Sequence, residues 1–196
     1  HPGYPDLMGF GRRALSVTPA EMKSYIMYQV GALQTFLRAD GMTLQHVKPH
    51  GAMYNAAAKD IKLSRAICEA IAECAPGAIL LCLSGSEMCR AAEECGILYA
   101  SEVFADRAYE DDGSLVARSK PGAVITDENE AIARVVRMVR ESKVTSVNGK
   151  DISIKADSIC VHGDNAHALE FVTRIRAALK AENISTAPLG DVISAR

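Results

Sequence analysis

The stretch Ala78–Phe104, AILLCLSGSEMCRAAEECGILYASEVF, decides the fold class. Ala78 to Leu83 is apolar at every position, the signature of a strand buried on both faces, as a parallel sheet requires. Ser84-Gly85-Ser86 interrupts it and launches a helix that runs to Gly96, after which Ile97 to Phe104 returns as a strand. Strands joined through a helix pair in parallel, so the chain is expected to be an α/β protein built from βα repeats.

Upstream, Thr18-Pro19-Ala20-Glu21 combines an N-cap, a proline at the first helical position and a capping-box glutamate. Met22, Ile26, Val30, Leu33 and Leu37 follow at helical spacing, and Asp40-Gly41 supplies the stop. Leu44 to Lys48 reads as a strand, with a helical turn after Gly51 and a helix from Asp60 toward Pro76-Gly77. Downstream, Ala105 to Gly122 is a polar connection too long for an ordinary βα loop, which marks it as functional. Thr126-Asp127 caps a helix striped by Ile132, Val135, Val136 and Val139, and Asn148-Gly149 sits between alternating segments as a hairpin turn. Ser158 to His162 reads as a buried strand, followed by a helix carrying Leu169, Val172, Ile175 and Leu179. One domain over residues 1–196 is the expected organisation.

With 22 Lys and Arg against 24 Asp and Glu, the net charge of −2 provides no cationic surplus for a phosphate backbone, so nucleic acid is not an expected partner. The longest apolar run is far shorter than the ~20 residues of a membrane span, and a soluble protein is expected. Six cysteines without a Cys-x-x-Cys pair read as small apolar residues in a reducing cytoplasm rather than a disulfide frame or zinc site.

Ionisable residues cluster where strands give way to loops: His1-Pro-Gly-Tyr-Pro-Asp6, Lys48-Pro-His-Gly51, Glu102-Val-Phe-Ala-Asp-Arg107 and Val161-His-Gly-Asp164. A βα repeat delivers such residues to the C-terminal face of a barrel or parallel sheet, and they are expected to converge at one mouth. Strand parity places Lys48 with His50, Glu102 with Asp106, and His162 with Asp164. His46 shares that parity one step deeper and is expected to be a hydrogen-bonded core residue. Lysine clamps phosphate or carboxylate, histidine moves protons near neutral pH, and carboxylates hold magnesium or activate water; together they suit hydrolysis or phosphoryl transfer. Tyr4, Tyr54 and Tyr109 are read as packing more than as substrate contacts. Gly9-Phe-Gly-Arg-Arg-Ala14 fits a loose dinucleotide pattern but follows no strand, and is read as a surface loop. No Walker phosphate loop, His-Glu-x-x-His helix or Gly-x-Ser-x-Gly elbow occurs.

The segments HPGYPDLMGFGRR, KPHGAMYN, EVFADRAYEDDGSL, RSKPGAVI and ICVHGDN, in that order, resemble the LamB/YcsF family from His1 through the last helix. The resemblance implies a seven-stranded, TIM-like β/α barrel of the glycoside hydrolase and deacetylase type. It also implies a component of 5-oxoprolinase that acts with two partners similar to allophanate hydrolase subunits to convert 5-oxo-L-proline to L-glutamate with ATP and Mg²⁺. The family pattern begins with an Asp/Asn-rich strand and a Gly-Phe-His-Ala-Gly-Asp segment not found here, so a barrel incomplete at its N-terminus is expected, with an exposed apolar seam and a possible homo-oligomer. Among the strand-end clusters, which this chemistry suits, His50, Asp106, His162 and Asp164 are the candidate catalytic residues. His1, Asp6, Lys48, Tyr54, Asn55, Glu102, Arg107 and Arg118 are the candidate substrate- or phosphate-binding residues, with metal ligands left unassigned. Two competing readings are an ATP-independent, metal-dependent amide or sugar deacetylase and a non-catalytic scaffold.

Overall fold

The computed structural model describes residues 1–163 and 167–195. The chain forms two compact units, His1–Ala100 and Ser101–Arg196, and the division falls inside a strand.

In the first unit, helix α1 (Pro19–Ala39) starts at the anticipated capping box: Thr18 Oγ1 accepts from the Glu21 N–H, and the Glu21 carboxylate accepts from the Thr18 N–H at 2.7 Å. Strand β1 (His46–Val47) leads to α2 (Gly51–Ala57) and α3 (Ile61–Cys74), whose first turn is capped by Asp60 through the Lys62 N–H at 2.8 Å. Strand β2 (Ile79–Leu83) is buried at every residue, and α4 (Glu87–Cys95) ends at Gly96, whose φ of +66° suits a residue without a side chain. Strand β3 (Tyr99–Phe104) begins in this unit. β1 and β2 run parallel, pairing Val47 with Leu80, and the Leu80 N–H donates to the Leu98 carbonyl at 2.8 Å.

Helix α3 packs against both α1 and α4. Met22 and Ile26 of α1, Ile67 and Ile71 of α3, Leu80 of β2 and Met88 of α4 are all essentially inaccessible to solvent. Each such side chain stabilises the fold by about 1.5–3 kcal/mol relative to exposure. Salt bridges Lys23–Glu73 (2.6 Å) and Arg65–Glu94 (2.8 Å) join the helices at the surface, where such pairs contribute little.

The second unit holds the rest of β3, paired in parallel with β6 (Ser158–Cys160) so that Glu102 faces Ser158 and Phe104 faces Cys160. The Ser101 N–H donates to the Asp157 carboxylate at 2.7 Å while the Asp157 N–H donates to the Ser101 carbonyl at 2.8 Å, which fixes that register. Helix α5 (Glu128–Glu141), capped by Asp127, packs on α6 (Ala168–Ala181) and on the hairpin of β4 (Lys143–Thr145) and β5 (Asp151–Ser153). A short helix α7 (Leu189–Ser194) follows.

The class is the expected mixed α/β, with parallel pairing of helix-separated strands in both units. Several local expectations change. His46 is exposed, its Nδ1 meeting the neighbouring Gln45 Oε1 at 3.2 Å, because β1 contains only two residues and its outer position faces solvent. Leu33 of α1 is 45% exposed, since burial along that helix stops at Val30. On α5 the buried stripe is Ala131, Val135 and Met138, and on α6 it is Phe171, Ile175 and Leu179; Leu169 is exposed. Cys68, Cys82 and Cys89 are buried as expected, whereas Cys95 is exposed at the end of α4. No helix among the described residues is long and apolar enough to cross a membrane.

Candidate functional site

The expected site residues form two groups, one within each unit. The first is built on the loop His1–Arg13 and the junction of β1 with α2. Gln29 of α1 turns its side-chain amide onto Gly3, accepting the Gly3 N–H and donating to the Gly3 carbonyl, both at 2.9 Å. The His50 N–H donates to the Pro2 carbonyl at 2.8 Å and the Ala52 N–H to the Gly11 carbonyl at 2.9 Å. Gly51 has φ +60°, and a Cβ there would lie 2.6 Å from the Gly11 carbonyl oxygen, so the loop closes this tightly only over a glycine.

Asp6 is buried and anchors the far side of the loop. It accepts from the Gly9 N–H at 3.0 Å and from the Arg13 guanidinium, whose hydrogen bonds hold its carboxyl down to about 2. Between these anchors Leu7, Met8 and Phe10 stand exposed, as the surface-loop reading expects, with Phe10 at φ +52°. His50 Nε2 lies 2.8 Å from the Phe10 carbonyl oxygen. A carbonyl only accepts, so this nitrogen carries its proton and donates. The Phe10 ring meets the His50 ring edge-on at 5.1 Å, and the His1 ring lies 6.0 Å away.

Lys48 places its ammonium 5.9 Å from the centre of the buried Tyr54 ring, a cation–π distance. Asn55 donates back to the Gly51 carbonyl within α2 at 3.2 Å. Tyr4, Tyr54 and Tyr109 are all buried, which accords with packing. Burial raises the Tyr4 phenol, whose hydroxyl has no hydrogen-bond partner among the described residues.

The second group follows β3 and β6. Asp106 lies just past the end of β3 and His162 just past the end of β6, so the parallel register brings them together. His162 Nδ1 is 3.0 and 3.1 Å from the two Asp106 carboxylate oxygens. Burial acts to raise the Asp106 carboxyl, but hydrogen bonds, that of His162 first, together with nearby positive charge leave it below the ordinary value. The opposite nitrogen, Nε2, is 3.1 Å from Arg118 Nη2. A guanidinium only donates, so Nε2 holds a lone pair and Nδ1 carries the proton toward Asp106. Phe104 stacks on the imidazole at 5.9 Å with planes 28° apart.

The long connection that carries Arg118 is ordered by Arg107. Its buried guanidinium donates to the Val116 carbonyl at 2.5 Å and the Ala123 carbonyl at 3.2 Å, closing the connection over Ala108, Val116 and Ala123. Burial first, and then the charge of Arg118, lowers the Arg107 pKa. Arg134 of α5 donates to the Arg107 carbonyl at 3.3 Å from outside, and the Tyr109 hydroxyl accepts from the Phe104 N–H at 2.9 Å. Glu102 is buried within β3. Asp164, expected beside His162, lies outside the described residues.

Gln29, Arg13, Phe104 and Arg134 support these groups and were not singled out from the sequence. Arg13 had a signal, falling within the same glycine-rich loop as Asp6; Gln29 and Arg134 look like ordinary polar helix residues. Chemically, the second group is a histidine oriented by a carboxylate with an acceptor nitrogen aimed at a cation. Among the described residues no three His, Cys, Asp or Glu side chains gather in a metal-binding arrangement.

The model of the LamB/YcsF family matches residues 1–194. The A-type subunit of 5-oxoprolinase from Clostridium beijerinckii is 62% identical over 189 residues, which cover 96% of this chain and 74% of that protein. Its counterpart of the same name from Pyrococcus abyssi is 52% identical over 193 residues, covering 98% and 76%. In structure, the chain superposes on the crystal structure of the lactam utilization protein from Thermus thermophilus with a TM-score of 0.85 at 41% identity, covering 95% of this chain and 74% of that one.

Proposed function

The chain belongs to the LamB/YcsF family, and from that premise we propose that it is the A-type subunit of 5-oxoprolinase, opening 5-oxo-L-proline to L-glutamate with ATP in the cytoplasm. Its partners in this reading are two further components similar to allophanate hydrolase subunits, and its parallel strand pairs are part of a seven-stranded β/α barrel. The observation that carries the reading is the Asp106–His162 pair, which fixes the tautomer that leaves Nε2 as a proton acceptor.

A lactam amide is a poor electrophile. ATP supplies a phosphoryl group to the lactam oxygen, which makes the ring carbon open to water. His162 Nε2 takes a proton from the attacking water as the new C–O bond forms. Asp106 accepts the Nδ1–H throughout and stabilises the imidazolium that results. The ring C–N bond then breaks as the added hydroxyl becomes the acyl carbonyl, the departing nitrogen takes the Nε2 proton and the hydroxyl proton to leave as an ammonium, and an acyl phosphate remains. A second water, deprotonated at the same nitrogen, attacks the acyl carbon; the C–O bond to phosphate breaks, and glutamate and phosphate leave. In sum, one lactam, one ATP and two waters give glutamate, ADP and phosphate.

The exposed Arg118 guanidinium suits a phosphoryl oxygen. Mg²⁺ enters this reading as an ion carried on the ATP phosphates. His50 donates to the Phe10 carbonyl and is read as holding the loop that carries Asp6 and His1.

The test is reconstitution with both partner components, 5-oxo-L-proline and ATP, scoring glutamate and ADP together. Equal release of both is expected, and His162→Ala should lower glutamate release about 10²–10⁴-fold at an unchanged melting temperature. Glutamate formed without ADP would favour an ATP-independent hydrolase, and a fully active His162→Ala complex would make this chain a scaffold.

A further inference from the structure

The nitrogen that must receive the proton of water is already occupied. Arg118 Nη2 lies 3.1 Å from His162 Nε2, and since a guanidinium has only donors, it is the imidazole lone pair that is engaged. A lone pair held by a cation cannot accept a proton from water. Arg118 therefore has to leave before His162 acts as a base.

Two features allow the side chain to leave without moving the backbone. Arg118 is exposed, while the connection that bears it is closed by Arg107 through the Val116 and Ala123 carbonyls. Arg107 meets carbonyl oxygens there, and its positive charge is close enough to Arg118 for the two to repel, with the Asp106 carboxylate offsetting part of that repulsion. An arriving oxyanion relieves that repulsion. A phosphoryl group also offers paired charged oxygens to the guanidinium fork, a stronger acceptor than one neutral imidazole nitrogen.

We propose that Arg118 is a cap on the His162 base that the phosphoryl group of the activated substrate displaces, so that capture of the phosphoryl group and exposure of the base are one event. This rests on the reading of His162 as the base. Its consequence is selectivity for the activated lactam, since the phosphoryl oxygens arrive on the very carbon that water attacks, whereas the free lactam's carboxylate lies across the ring nitrogen from that carbon and leaves the base covered. Arg118 is a positioning residue in this role until it meets the phosphoryl oxygens.

The test uses the full chain and inorganic phosphate, following acylation of His162 Nε2 by diethyl pyrocarbonate with peptide mass analysis at one fixed pH. An ordinary ligand protects the histidine beside it. Here phosphate should instead speed the labelling of His162 several-fold, while 5-oxo-L-proline, which brings only a carboxylate, leaves it slow. Arg118→Met should label fast without phosphate and lose the response to it. Phosphate that slows His162 labelling or leaves it unchanged in the wild-type chain overturns the proposal, and that arm needs no variant. Uncovering by 5-oxo-L-proline alone overturns the selectivity for phosphoryl. The labelling requires no turnover, so a chain that responds to phosphate yet yields no glutamate in the reconstituted complex keeps the cap and loses the 5-oxoprolinase reading.

Discussion

His50 and His162 occupy similar places in the sequence, each just beyond a strand and next to a glycine, yet the two units hold them in opposite senses. In the first unit Nε2 faces the Phe10 carbonyl and must donate. In the second it faces Arg118 and must accept. The residue type is the same; in the function proposed above, the neighbour's chemistry gives one the fastening of a loop and the other proton transfer. Substitutions around His50 should therefore show in stability, and those around His162 in rate.

The largest expected effect is on rate. Asp106→Asn leaves a side chain of the same size but one that can donate to Nδ1, which favours the wrong tautomer. Glutamate release by the reconstituted complex should fall about 10²–10³-fold, approaching the loss of the histidine itself, with little change in thermal melting. A rate within a few-fold of wild type would break the contrast at its stronger side.

Next comes stability in the first unit. Gly51→Ala places a methyl group 2.6 Å from the Gly11 carbonyl oxygen at φ +60°, and the loop must shift to admit it. Calorimetric melting should reveal a loss of about 1–3 kcal/mol. An unchanged melting temperature would show that the glycine-tight closure over His50 is not a constraint.

His50→Gln should do less. The glutamine amide is able to replace the N–H that reaches the Phe10 carbonyl, so the rate should stay within about threefold and stability within about 1 kcal/mol. A large drop in rate, with a changed pH profile, would place His50 beside His162 as a proton carrier and erase the contrast.

The smallest effect is at acid pH. Arg13 holds the folded Asp6 carboxyl at about 2 against an ordinary 3.8. A depressed folded value means the stabilisation is present above the unfolded value and is lost as pH falls through the folded one. Melting curves of wild type and Asp6→Asn should thus differ above pH ~4 and approach each other toward pH ~2. Parallel curves across that window would remove the ion pair from the loop's support.

Much of this architecture is legible in the residues because its signals are local. Thr18 with Glu21, Asp60 and Asp127 are side chains that satisfy the first N–H groups of their own helices, and Asn148-Gly149 turns its own hairpin. The buried stripes were harder. Choosing Leu169 over Phe171 on α6 depends on which face meets α5, and that is settled by packing. The pairing of Asp106 with His162 was approachable through strand parity and βα order, since register alone brings the ends of β3 and β6 together. The direction of each imidazole was not, because Phe10 and Arg118 reach their histidines from 40 and 44 residues away. Arg107 likewise suggests an anion site in sequence, whereas its guanidinium is buried against two carbonyls of its own loop.

The two-way hydrogen bond of Gln29 with Gly3 gives the first unit an order of assembly. A side-chain amide on a helix serves there as the rung that a neighbouring strand would supply, joining positions 26 residues apart. The Gly3 turn has no such rung until α1 exists to present it, so that turn is expected to settle after α1 docks and to be among the first parts released. The Gly3 amide proton should then exchange with solvent at the rate at which α1 opens locally, reporting the seating of that helix through a residue that is not part of it.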